Sequence, residues 1–302
     1  MAVLIIRNNI LSAQPVVTHL NPVIEKLAQG KHVFGVSTTD LSIANAHALA
    51  RADVDYVRVE MEHAPMDFGA LHAFLIGMID KAAILKKGNA QLNAAPFIRI
   101  APYGRDQADW VVKQALDLGI MGIIFPTIET REQALSAVRN MRYPQLKGSR
   151  YMEPAGLRGV GPDNAAWFWG VDTDEYTRRA DVWPLNPQGD LLSIIMIETV
   201  DGLKNIDEIV SVPGVGGVFA GILGDMPRSL GVEPNSPEVE AARRSILRAC
   251  LAHNVPCWAP TNAQEVQGRI KEGWKYLDLG RAGGGLTPAI DAALRAGRAA
   301  GR

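Results

Sequence analysis

Apolar residues fall in short β-branched or aromatic runs: 32–37 (HVFGVS), 55–62 (DYVRVEME), 96–101 (PFIRIA), 121–127 (MGIIFPT) and 191–198 (LLSIIMIE). Three more follow at 217–222 (GVFAGI), 255–260 (VPCWAP) and 275–280 (KYLDLG). Most are near-continuously apolar rather than alternating, the pattern of strands covered on both faces in a parallel sheet. Helix signals lie between them. Thr130 with Gln133, and Asn262 with Glu265, have capping-box spacing. Ser236-Pro237 reads as an N-cap and first-turn proline, and Leu203, Ile206 and Ile209 form a helical stripe. Strand and helix alternate through eight strand signals, which predicts an α/β fold, a (β/α)8 TIM barrel. With no repeat or low-complexity linker, residues 1–302 are expected to form a single domain.

Two stretches break the rhythm. Residues 80–95 read as a helix end and polar loop. Residues 143–190 form the longest stretch without a strand signal, so this extended loop is expected to be functional or to carry helices of its own. It holds Trp167, Phe168, Trp169, Tyr176 and Trp183. That cluster reads as a satellite core or subunit contact, or alternatively as an apolar wall for a substrate, with Trp167 and Trp169 as its candidates.

Composition narrows the partners. With 31 basic and 32 acidic side chains, nothing favours nucleic acid or an anionic membrane surface. Arg7 and two asparagines interrupt the first apolar run before a secretory segment is established, and no stretch reaches membrane-span length. A soluble, cytoplasmic protein is expected. Cys250 and Cys257 can form at most one bridge; no disulfide framework exists, and both are read as packing residues in a reducing compartment.

In such a barrel, catalytic groups sit at the C-terminal ends of strands. Those ends carry Glu60, Glu62 and His63, then Arg99, then Glu198, and finally Gly221 to Asp225. Glu198 and Asp225 are one strand–helix step apart, close enough for both carboxylates to hold one hard divalent ion. His63 beside acids suits a proton-transfer dyad. Arg99 suits an anionic oxygen, or else a salt bridge to Glu60 or Glu62. The glycine-rich segment 280–285 (GRAGGG) reads as a turn.

Taken together these segments resemble the HpcH/HpaI aldolase family of metal-dependent class II pyruvate aldolases over about residues 23–290. The landmarks are VEMEHAPMDF (59–68), PFIRI (96–100), ALDLG (115–119), RYP (142–144) and GLRGVG (156–161), with IETVDGLKNIDEIVSVPGVGGVFAG (197–221) and GDMPRSLG (224–231). The resemblance implies Glu198 and Asp225 as metal carboxylates, His63 as catalytic histidine and Arg99 as the arginine at the keto oxygen of pyruvate. It implies Asp117 as an aspartate near the subunit contact that supports the site. Gly224 and Asp225 would border the substrate. It also implies a last helix exchanged with a neighbour, in hexamers built as trimers of dimers. Three features depart from the family pattern: Glu60 where Asp is usual, Met196 where Gln is frequent, and a 221–225 loop (GILGD) one residue longer.

The activity so implied is reversible cleavage of a 4-hydroxy-2-keto acid to pyruvate and an aldehyde. The cofactor would be a divalent metal: Mg2+ or Mn2+ first, with Co2+ or Zn2+ possible. The base would be His63 assisted by Glu60, or a metal-bound water. Oxaloacetate decarboxylation, a citryl-type thioester lyase, and a non-catalytic binding protein are the alternatives.

Overall fold

The computed structural model describes residues 18–301. The reading of the N-terminal apolar run falls on residues 1–17, outside the described residues. Eight parallel strands close a barrel in sequence order: β1 (Val33–Thr38), β2 (Tyr56–Glu60), β3 (Ala95–Arg99), β4 (Gly122–Phe125), β5 (Leu192–Ile197), β6 (Val215–Ala220), β7 (Cys257–Pro260) and β8 (Tyr276–Arg281). Each falls on one of the eight apolar runs, and most are buried along their whole length. Among the described residues no single helix is long and apolar enough to cross a membrane.

The barrel interior is filled by rings set against glycines. A Cβ at Gly35 would lie 2.3 Å from the Tyr56 ring, and one at Gly122 would lie 2.6 Å from the Phe97 ring. Glycine at these inward positions leaves room for aromatic side chains, so Tyr56 stacks on Phe97 at 5.4 Å and Trp258 on Tyr276 at 5.4 Å. The layer lies against Arg58, whose guanidinium is 5.9 Å from the Trp258 ring.

Helix starts follow the capping rules, with one exception. Thr130 and Gln133 form the full reciprocal box, and Ser236 caps Pro237–Ala252 with proline in its first turn. The Asn262 side chain accepts from the Glu265 N–H, but that residue's own side chain turns to Arg269, and the helix begins later, at Val266–Glu272. The stripe Leu203, Ile206, Ile209 is split between two short helices, Val200–Lys204 and Ile206–Val210. Segment 80–95 carries a short helix, Lys81–Lys87.

Two expectations are corrected. Cys250 and Cys257 are more than packing residues: they form a disulfide across Cα atoms 5.9 Å apart, because β7 starts beside the last turn of the helix that precedes it. The last helix, Pro288–Ala300, packs within this single chain on the N-terminal end of the barrel. Gly297 lies against Phe34, and Arg298 bonds Asp55 at 2.9 and 3.0 Å.

The second correction concerns the substrate-wall reading of 143–190. This segment joins the end of helix Arg131–Met141 to the start of β5, so both of its ends lie at the N-terminal end of the barrel. It carries helices Asp163–Trp169 and Thr173–Arg179. Two buried arginines order it. Arg142 forks onto Asp181 at 2.6 and 3.0 Å; Arg158 stacks on Tyr143 at 4.3 Å and bonds Asp117 and Tyr176. Trp169 donates to the Gly119 carbonyl just ahead of β4, while Trp167 is 62% exposed. An αβ connection cannot reach the catalytic rim of its own barrel, so these tryptophans form no substrate wall there.

Candidate active site

A cavity of about 430 Å³ opens at the C-terminal ends of the strands. Its lining includes His63, Arg99, Glu198, Gly224 and Asp225, so five of the residues expected at the site converge. Met196 also lines it. A larger adjoining cavity of about 560 Å³ shares Pro260 and Thr261 but holds none of these groups.

Glu198 follows β5, and Gly221 follows β6 beside it; the Gly221 N–H donates to the Ile197 carbonyl at 2.9 Å. A Cβ on Gly221 would meet Glu198 Cβ at 2.5 Å, so only glycine lets the carboxylate stand there. Glu198 is buried. Its Oε1 accepts the Thr127 N–H at 2.8 Å, and its Oε2 has no hydrogen-bond partner. Thr127 holds that N–H in place with φ +56, a strained conformation for a β-branched residue. Burial first, then the negative charges of Glu62 and Asp225, outweigh the Thr127 hydrogen bond and push the Glu198 carboxyl up to about 7. Asp225 is exposed and opens the short helix Asp225–Leu230 after the turn of the 221–225 loop.

Among the described residues no three His, Cys, Asp or Glu side chains are grouped to hold a metal. The protein therefore offers at most the Glu198–Asp225 carboxylate pair. A buried, unpartnered carboxylate oxygen in a cavity that a second carboxylate also lines fits a hard divalent ion whose other positions are filled by water and substrate oxygens. Cations that demand a closed set of four protein donors do not fit.

On the β2–β3 side, Glu60 is the hub of an ion-pair network. Its Oε2 accepts from Arg58 and Arg99, each at 2.7 Å, and its Oε1 accepts the Glu62 N–H at 3.0 Å and the His63 N–H at 3.4 Å. Burial alone would raise the Glu60 carboxyl, but the Arg99 hydrogen bond and the two guanidinium charges hold it below its ordinary range. The expected contact from Glu60 to the His63 ring is absent. The imidazole Nε2 lies 3.5 Å from Glu62 Oε2 instead, because Glu60 points into the barrel between two arginines. Arg99 takes both salt bridges open to it, Glu60 and Glu62 (2.8 Å), and its Nη1 reaches the Met196 sulfur at 3.8 Å. Glu62 is raised by burial, with Arg99 and His63 opposing and Glu60 and Asp225 adding to it.

Two residues of this network were not singled out in the sequence. Arg58 is buried beneath Glu60 and bonds Asp278 Oδ2 at 3.0 Å. Its guanidinium lies 5.5 Å from Phe219 and 5.9 Å from Trp258. A charged residue inside an apolar strand run was the available signal, in YVRVE and YLDLG alike. Asp117 does not join the site. It ends the helix Asp109–Asp117, at the opposite end of the barrel, where Arg158 and Lys113 bind it. Any support it gives could reach only the site of a neighbouring barrel.

Known proteins place this geometry in context. A hydroxypyruvate/pyruvate aldolase of Roseobacter denitrificans is 32% identical over 226 residues, 74% of this chain and 75% of that protein. A 5-keto-4-deoxy-D-glucarate aldolase of Citrobacter koseri is 28% identical over 215 residues, 70% and 71% of the two chains. The crystal structure of an HpcH/HpaI aldolase/citrate lyase family protein from Burkholderia cenocepacia superposes with a TM-score of 0.71 at 27% identity, covering 93% of this chain and 97% of that one. Residues 36–288 match the HpcH/HpaI aldolase/citrate lyase family, and with the closed barrel and the rim acids in place, this chain belongs to that family of keto-acid aldolases and lyases.

Proposed function

We propose that this chain, as one barrel domain over residues 1–302, is a divalent-metal-dependent class II aldolase that cleaves a 4-hydroxy-2-keto acid reversibly to pyruvate and an aldehyde. The observation that carries this reading is the Glu198 carboxylate, buried with one oxygen unpartnered and facing the cavity that also holds Asp225, His63 and Arg99. Glu198 and Asp225 would hold Mg2+ or Mn2+, which supplies Lewis acidity to the carboxylate and keto oxygens of the substrate.

The remaining chemistry belongs to the side chains. His63, exposed at the rim, takes the 4-hydroxyl proton of the substrate, and Glu62 at 3.5 Å stabilises the imidazolium so formed. The C3–C4 bond then breaks, the aldehyde leaves, and the electron pair passes into the enolate of pyruvate, which takes a proton at C3 from water while the His63 imidazolium returns its proton to solvent. Arg99, held by Glu60 and Glu62, keeps positive charge beside the developing oxyanion. Exposed Leu146, Leu157, Val160 and Trp167 at the opposite end of the barrel support a homo-oligomer, which we propose to be a trimer of dimers.

The test is C3 proton exchange of pyruvate in D2O, followed by NMR. Exchange should require added Mg2+ or Mn2+, stop on chelation, and be lost in Glu198→Gln. Undiminished exchange after chelation would overturn the proposal.

A further inference from the structure

The alternate residues Tyr56, Arg58 and Glu60 of β2 share the inner side of the barrel, and Arg58 is the step between the aromatic layer and Glu60. Its guanidinium reaches past β1. Nη1 donates to Glu60 Oε2 at 2.7 Å, Nη2 donates to Asp278 Oδ2 on β8 at 3.0 Å, and Nε is buried without a partner. Asp278 is anchored in turn by the Gly280 N–H at 3.0 Å. Arg58 borders the cavity, but both of its terminal nitrogens are committed to protein carboxylates. It therefore acts on its neighbours rather than as a fork for a ligand.

The carboxylate that Arg58 holds ties the site together. The same Glu60 Oε2 accepts Arg99 Nε at 2.7 Å, and Oε1 accepts the backbone N–H groups of Glu62 and His63 at 3.0 and 3.4 Å. One side chain thus joins Arg99 to the backbone that carries His63. With Oε2 drawn inward by two guanidiniums, Glu62 is left as the acid beside the imidazole, at 3.5 Å. Stability alone gives little reason for a charge at position 58, because desolvation of a buried guanidinium offsets much of what its ion pairs return. Its neighbours include the Phe219 and Trp258 rings, at 5.5 and 5.9 Å, against which an apolar side chain would pack as well. An apolar side chain there could not hold Glu60.

We propose that Arg58 is a positioning residue for the reaction: fixed by Asp278, it locks the Glu60 carboxylate, which keeps Arg99 and the His63 backbone in place and leaves Glu62 to the imidazole. The assignment rests on the aldolase reading above, in which Arg99 and His63 serve the chemistry. Arg58 itself touches no reacting atom, so its loss should be felt in turnover and not in the binding of pyruvate.

Exchange of the pyruvate C3 protons in D2O with Mg2+ or Mn2+ present, analysed for kcat and KM separately, tests it. The double variant Arg58→Leu, Asp278→Ala removes the unit without leaving either charge unpaired by the other. Its kcat should fall about 10- to 100-fold, the scale of a small misplacement of site groups. Its KM should stay within about threefold of wild type, since Arg58 makes no ground-state contact with pyruvate. Arg58→Lys keeps the charge but not the fork, so its kcat should lie between. If Arg58 acts through Glu60, adding the double variant to Glu60→Gln should lower kcat by no more than about twofold beyond Glu60→Gln alone. Circular dichroism and thermal melting show which variants are folded at the assay temperature. Wild-type kcat in the folded double variant or in Arg58→Lys, a raised KM with kcat unchanged, or multiplying losses with Glu60→Gln would each remove the role of Arg58 and leave the aldolase reading standing. Absence of exchange in the metal-loaded wild-type protein would remove the aldolase reading itself, and this inference with it.

Discussion

Replacing Glu198 by Gln should stabilise the metal-free protein while abolishing its response to divalent ions. The Glu198 carboxyl is raised from an ordinary 4.5 to about 7 by burial and by the charges of Glu62 and Asp225. As pH rises from about 4.5 to 7, the unfolded chain gives up this proton before the folded one does. Stability therefore falls across that window, and the loss is complete above it. At 1.36 kcal/mol per tenfold change in proton affinity, the gap costs about 3 kcal/mol at pH 8. Glutamine keeps an oxygen for the Thr127 N–H and removes the charge. At about 2 °C per kcal/mol for a chain of this size, Glu198→Gln should melt about 6 °C above wild type at pH 8 without metal, and level with it at pH 4. Saturating Mg2+ or Mn2+ should raise the wild-type Tm and leave the variant unmoved. Differential scanning fluorimetry at the two pH values, with and without the ion, measures all of this. A variant less stable than wild type at pH 8 would show that the buried charge is compensated in the free protein, and would refute the argument.

Other outcomes follow from the same geometry. Asp278→Ala leaves Arg58 half-paired in the barrel, so urea unfolding should show a loss of about 3 kcal/mol or more; the double variant Arg58→Leu, Asp278→Ala should recover part of it. Thr127→Gly relieves a positive φ, and should lower activity by loosening Glu198 while changing stability by no more than about 1 kcal/mol. Gly221→Ala forces a Cβ against Glu198, and should abolish metal-dependent pyruvate exchange in a protein that still folds, as circular dichroism would show. Trp169→Phe removes the bond to the Gly119 carbonyl at the far end of the barrel; it should cost about 1–2 kcal/mol of stability with kcat/KM unchanged.

Local pattern carried much of this protein. Near-continuous apolar runs of strand length marked all eight strands, because a strand covered on both faces must be apolar on both. The chemistry followed from position: a polar residue at or just beyond the C-terminal end of a strand stands at the rim, as Arg99, Glu198 and His63 do. The connectivity of 143–190 was legible too, since a segment between a helix and the next strand belongs to the opposite end. Its tryptophans lie away from the rim for that reason.

Pairings across the closed sheet were not legible. Arg58 meets Asp278 over a separation of 220 residues, and that contact exists only once β1 closes the barrel between β2 and β8. Which acid faces His63 depended on side-chain direction: Glu60 lies between Arg58 and Arg99, leaving Glu62 for the imidazole. A register slip of one residue between β1 and β8, which pairs Gly35 with Asp278 but Ser37 with Arg281, brings Arg281 into the cavity lining. Periodicity is a property of a single segment and can be read along the chain. Ion pairs and bulges depend on the register between segments, which is set when the whole barrel closes.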